Sequence, residues 1–158
     1  MEFNSRAVRT LVELHEREVR SFLEVWKRFV DSDLPIPEAL GDASYESRDR
    51  LGGHVLMAAR GYLTRIGEWV NRPVTDVDSS QDAIDIAARM PQFAEDVLAG
   101  YRRHLAAITV EELEPQAHRT RWGELMSVEN LLEHAVVHPM RHRLQLERLL
   151  EASAAARA

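Results

Sequence analysis

Apolar residues in this chain recur at steps of three and four over long stretches, and nowhere does an alternation in twos persist. From about Asn4 to Asp31, Val8, Leu11, Val12, Val19, Phe22, Leu23, Trp26, Phe29 and Val30 fall on one side of a 3.6-residue period. Asn4 or Ser5 can cap the start of that helix. The stretch DSDLPIPEALGD ends it, because its prolines cannot continue a helix.

Three further segments follow. The second runs from Ser47, a plausible N-cap with Asp49 in the first turn, to near Val70, with Leu51, Val55, Ala58, Tyr62, Ile66 and Trp69 as its stripe. Gly52 and Gly53 weaken it by roughly 1 kcal/mol each relative to alanine, and Asn71-Arg72-Pro73 stops it. The third begins at Ser79-Ser80 and reads as a short helix to about Met90, then a longer one from Pro91 to about Ile108; one kinked helix is the competing reading. The fourth starts at Ser127 and runs to about Ala152, after which ASAAARA frays. The connection 109–126 is long enough to suggest a functional role. There is no internal repeat, so the expected class is all-α, a four-helix bundle with a short extra helix before helix three. The long connections 31–46 and 71–90 imply that not every neighbour is an up-down hairpin.

At 158 residues the expectation is a single domain over 1–158. A net charge of -6 argues against nucleic-acid or membrane-surface binding, which needs a basic face. The absence of cysteine removes disulfides, thiolate ligands and a protein thiol nucleophile. MEFNSRAVRT carries no leader signature, and no apolar run approaches a bilayer span of about 20 residues, so a soluble, cytoplasmic protein is expected.

The fourth helix concentrates the chemistry. In LLEHAVVHPMRHRLQLERLL, three of the chain's seven histidines, His134, His138 and His142, recur at every fourth position. The inward stripe reads Val128, Leu131, Ala135, His138, His142, Leu146, Leu149, so two histidines stand where a bundle interior expects leucine. His134 lies toward the polar edge. Residues eight apart on a helix are about 12 Å apart, too far to share an ion at about 2 Å per ligand. A metal pair is therefore His134/His138 or His138/His142, and the stripe favours the second. An i, i+4 histidine pair alone is a weak signal, and hydrogen bonding to buried Gln145, Glu or Tyr side chains is the competing role. A third ligand is best supplied by His54 beside Gly53 in the second segment. His15 is a second candidate, although a histidine at the edge of the core is its more natural reading. His104 and His118 read as surface or loop residues.

These residues resemble a known family. LGGHVLMAARGYL early in helix two, the Trp-Gly approach, and ELMSVENLLEHAVVHPMRHRLQL in the last helix are similar to the DinB/YfiT-like superfamily of metal-binding bundles. His138, His142, Arg143 and Gln145 match its H-x-x-x-H-R-x-Q pattern, and the resemblance covers nearly the whole chain in helix order. It implies an up-down-down-up bundle, often a homodimer, with one divalent ion, usually zinc or nickel, on His54, His138 and His142. It also implies a thiol-dependent transferase or isomerase using a low-molecular-weight thiol and acting on a small-molecule substrate; a metal that activates water instead would make a hydrolase. Leu144 replaces a common glycine, and Pro139 directly follows the first ligand of the pair.

Three neutral imidazoles would leave an ion its full charge and an open position. Gln145, Glu133 and Glu124 are candidates to support the ligands. Arg141 and Arg143 could attract an anion, though a solvated face is the simpler role, and Trp122 could line the pocket or pin the long loop. The alternative to an enzyme is a non-catalytic helical module whose core histidines are structural or bind metal only.

Overall fold

Ser5 starts the first helix: its hydroxyl accepts from the Val8 amide, and α1 runs Arg6–Val30. The computed structural model describes residues 2–37, 41–113, 118–120 and 123–157. After α1 comes a 3-10 turn, Ala43–Tyr45. Ser47 then accepts from the Arg50 amide and begins α2, Arg48–Trp69. Arg48 bonds the carbonyls of Val30 (2.9 Å) and Leu34 (2.7 Å), fastening the start of α2 to the end of α1.

Gly52 and Gly53 are not merely weak points in α2. A Cβ on Gly53 would overlap the backbone carbonyl of Ala83, and one on Gly52 would meet the Trp26 ring at 2.8 Å and the Met90 methyl. Glycine at both positions lets the chain after Asp82 lie directly on α2. That chain forms α3, Ala83–Ala88, capped by the Asp82 side chain. Arg89 leaves helical geometry, and α4, Met90–Leu105, restarts with Pro91 in its first turn. The region is thus two helices rather than a single kinked one.

The connection 109–126 holds more order than its composition shows. A one-turn helix α5, Val110–Leu113, is followed by β1, His118–Arg119, paired antiparallel with β2, Leu125–Met126. Strands of two residues are too short to leave an alternation in the sequence. The ribbon is held against the end of α2 by Trp69, which stacks on His118 with centroids 4.5 Å apart. Trp122 lies outside the described residues. The last helix, α6, runs Val128–Arg157 and passes through Pro139. It therefore continues beyond Ala152, where fraying was expected; the alanine-rich tail has the highest intrinsic helix propensity.

The described chain is mostly helical. Arg143 on α6 pairs with Glu18 on α1 (3.1 Å) and Glu147 (2.8 Å), and near their starts Arg6 and Glu129 border one groove, so α1 and α6 run the same way. Asn4 donates to the Ala106 carbonyl at 2.9 Å, and Arg20 pairs with Glu95, so α4 runs against α1. His54 faces His142 while Tyr62 faces His134, so α2 runs against α6. Phe22, Leu56, Leu63, Phe93, Tyr101 and Leu131 are among the fully buried side chains between them. Each large apolar side chain so buried stabilises the fold by roughly 1.5–3 kcal/mol.

In α2 the core face differs from the sequence stripe. Leu51, Val55 and Ile66 are buried as expected, but Leu56, Ala59 and Leu63 fill the core with them, while Ala58, Tyr62 and Trp69 are only half-buried. Contacts with α3, α4 and α6 together bury a face broader than one stripe and leave the Ala58–Tyr62 edge along a cavity. Among the described residues, no helix is long and apolar enough to cross a membrane.

Candidate metal centre

The stripe of α6 points inward as its spacing requires. Val128, Leu131, Ala135 and Leu146 are buried, and His138 and His142 are buried with them, 7% and 1% exposed. His54 reaches the same point from α2, one residue past the glycine pair that seats α2 against α3. One ring nitrogen from each of His54, His138 and His142 lies within 4.8 Å of the others. The rings meet edge to face: His138 and His142 have centroids 4.8 Å apart at 67°, and His54 and His138 5.1 Å apart at 59°. His134, half-buried, instead packs edge-on against Tyr62 at 5.3 Å.

The electrostatics keep all three rings neutral. Burial lowers His138 to about 2, helped by the His142 and His54 rings and by Arg141. Burial likewise lowers His142 to about 4, with His54 and Arg141 adding to the effect and Asp42 opposing it. His54 is also lowered, by burial first, with Asp42 opposing and Arg141 assisting. Neutral imidazoles offer lone pairs, and two ring nitrogens here, His138 Nδ1 and His142 Nε2, are buried without a hydrogen-bond partner. A buried polar atom left unpaired costs about 1–3 kcal/mol, so this donor set fits a divalent cation.

Tyr45, in the 3-10 turn, orients one of the rings. Its hydroxyl donates to Gln145 Oε1 at 3.0 Å and lies 3.3 Å from His142 Nδ1. Because the tyrosine proton goes to Gln145, His142 Nδ1–H donates to the Tyr45 oxygen, and the lone pair is left on Nε2. Spacing could not find Tyr45, since it sits in a connection with no helical register to place it. Of the three supporting residues considered from sequence, Gln145 takes this part. Glu133 is exposed and borders a groove with Arg6 and Thr10, and the Glu124 charge acts on His134. Arg143 is engaged by Glu18 and Glu147, whereas Arg141 is exposed with its charge felt at all three rings.

His15, the second candidate ligand, is elsewhere. It is 1% exposed, stacked on Tyr101 at 4.1 Å and 22°, and does not join the cluster. His104 pairs with Asp76 (2.5 Å), and His118 belongs to the ribbon. Beside the centre a cavity of about 260 Å³ opens along α2, bordered by His54, Ala58, Tyr62, Thr120 and Leu131. The long connection thus contributes Thr120 to its wall.

Comparison with protein-family models, with curated proteins and with solved structures finds no match for the chain.

Proposed function

We propose that the chain is an up-down-down-up four-helix bundle of the DinB/YfiT-like kind, and a metal-dependent enzyme that holds zinc or nickel on His54, His138 and His142. The helix directions above support the bundle. The observation that carries the function is the convergence of three neutral imidazoles, two of them with buried unpaired nitrogens. A divalent ion there would supply Lewis acidity, making water or a low-molecular-weight thiol cosubstrate nucleophilic near neutral pH toward a small molecule.

The chain's own residues define the rest. His54, His138 and His142 add no charge of their own, so an ion held there would keep its full charge toward the adjoining cavity. Tyr45 and Gln145 hold His142 in one tautomer. Met57, Ala58 and Leu131 give the cavity apolar wall beside His54, which orients a substrate and limits water.

The test is to purify the chain without a histidine tag and to measure zinc, nickel, iron and manganese per chain, with His138→Ala in parallel. About one ion per chain in the parent, lost in the variant, is the expected result. No metal after reconstitution would sink the reading and leave a bundle with structural histidines.

A further inference from the structure

The same cavity is lined by a cation, Arg60, that forms no ion pair among the described residues. Arg60, half-buried on α2, lines it together with His54, Met57, Tyr62, Arg65 and Leu131. The Nε of Arg60 is buried with no hydrogen-bond partner, and no carboxylate pairs with its guanidinium among the described residues. Asp78 feels its charge, but that carboxylate is bonded to Arg89 and to the Ser80 amide. Arg65, by contrast, is held by Glu68 at 2.8 Å. A guanidinium offers a planar fork of donors that matches a carboxylate, and a buried donor without a partner is destabilising until something fills it.

We infer that Arg60 is the anchor of a carboxylate subsite, and that the cavity takes a small organic acid with an apolar body. The acid group bonds Arg60, the body lies on Met57 and Leu131, and the far end reaches His54. The last part rests on the metal-enzyme reading; the subsite itself does not.

Hexanoate and hexanamide differ in the group that Arg60 would recognise and share the apolar body. Both are titrated by NMR into the metal-free chain and into the zinc-reconstituted chain, and into Arg60→Gln, with zinc content measured on the same samples. Hexanoate is expected to bind at least about tenfold more tightly than hexanamide in the metal-free chain, and the preference is expected to vanish in Arg60→Gln. Equal binding of the two probes to the metal-free parent overturns the subsite without any variant having to fold. A preference that survives in a folded Arg60→Gln overturns it as well. A chain that takes up zinc but shows no preference loses the subsite and keeps the metal centre. A chain that takes up no zinc but keeps the preference loses the metal centre and keeps the subsite.

Discussion

Among the described residues, two places bury histidine without satisfying it. At His15, on α1, both ring nitrogens are buried and unpaired, and the ring lies flat on Tyr101, whose hydroxyl bonds the Ala59 carbonyl at 2.8 Å. At the α2–α6 contact, His138 and His142 each leave one nitrogen unpaired, and His54 faces both. Burial lowers His15 to about 3, and His138 and His142 to about 2 and 4, so depressed basicity does not separate the two places. Convergence does. His15 has an aromatic plane as its neighbour and behaves as an apolar slab. The three other rings have each other: a ring nitrogen of each lies within 4.8 Å of the others, a spacing that could hold a metal ion.

The largest expected effect separates the two places by metal. Zinc at about a thousand times its Kd should stabilise the parent by about 4 kcal/mol through mass action, read as a rise in the unfolding midpoint. The same rise is expected in His15→Leu and none in His138→Ala. Stabilisation by zinc in His138→Ala equal to the parent's would erase the distinction.

Acid comes next. His15 has a folded-state value near 3 against an ordinary 6.5. As pH falls below 6.5 the unfolded chain takes up a proton that the folded chain refuses. Its contribution is therefore intact above pH 6.5 and is lost on acidification, by about 2 kcal/mol at pH 5. His15→Leu should flatten the acid limb of a denaturation series in metal-free protein. An unchanged slope would show that the ring is not held neutral.

Tyr45→Phe tests the support on the other side. Losing the hydroxyl frees the His142 tautomer, and zinc affinity is expected to fall about tenfold, measured by competition with a chelator. Thermal stability of the metal-free chain should move little. A chelator midpoint identical to the parent's would remove Tyr45 from the site.

The smallest effect is His15→Leu itself at pH 7.5. Replacing an unpaired imidazole by an apolar side chain of similar size should change stability by less than about 1 kcal/mol, or raise it slightly. A loss of several kcal/mol in denaturant unfolding would mean that the His15 nitrogens have partners after all.

Much of this arrangement was legible from spacing alone. Ser47, Ser127 and the Asn4-Ser5 pair marked helix starts because a polar side chain before an apolar-periodic run is a local device, satisfied within three residues, and the structure chose Ser5 of that pair. The inward stripe of α6 placed His138 and His142 in the interior for a related reason: one helix fixes which of its residues share a face. The division at Arg89 was readable from proline. The two-residue ribbon and the helical tail beyond Ala152 were not. The first is stabilised by contacts with Trp69 across the chain, and the second was obscured because a stretch of small residues carries no amphipathic pattern.

Sequence by itself therefore determined the four long helices, where they begin, and two of the three clustered histidines, because those depend on interactions within a few residues; the start of α3 at Ala83, the one-turn α5 and the 3-10 turn were not among them. Sequence favoured His54 over His15 as the third histidine, but only the tertiary structure brings its ring to the pair. Both lie on apolar helices at suitable register, and the choice turns on which helix crosses α6 at that height. The close approach permitted by Gly52 and Gly53, the reach of Tyr45 across to His142, and the unpaired Arg60 in the adjoining cavity are likewise distances between segments far apart in the chain. No local periodicity encodes such distances; packing sets them.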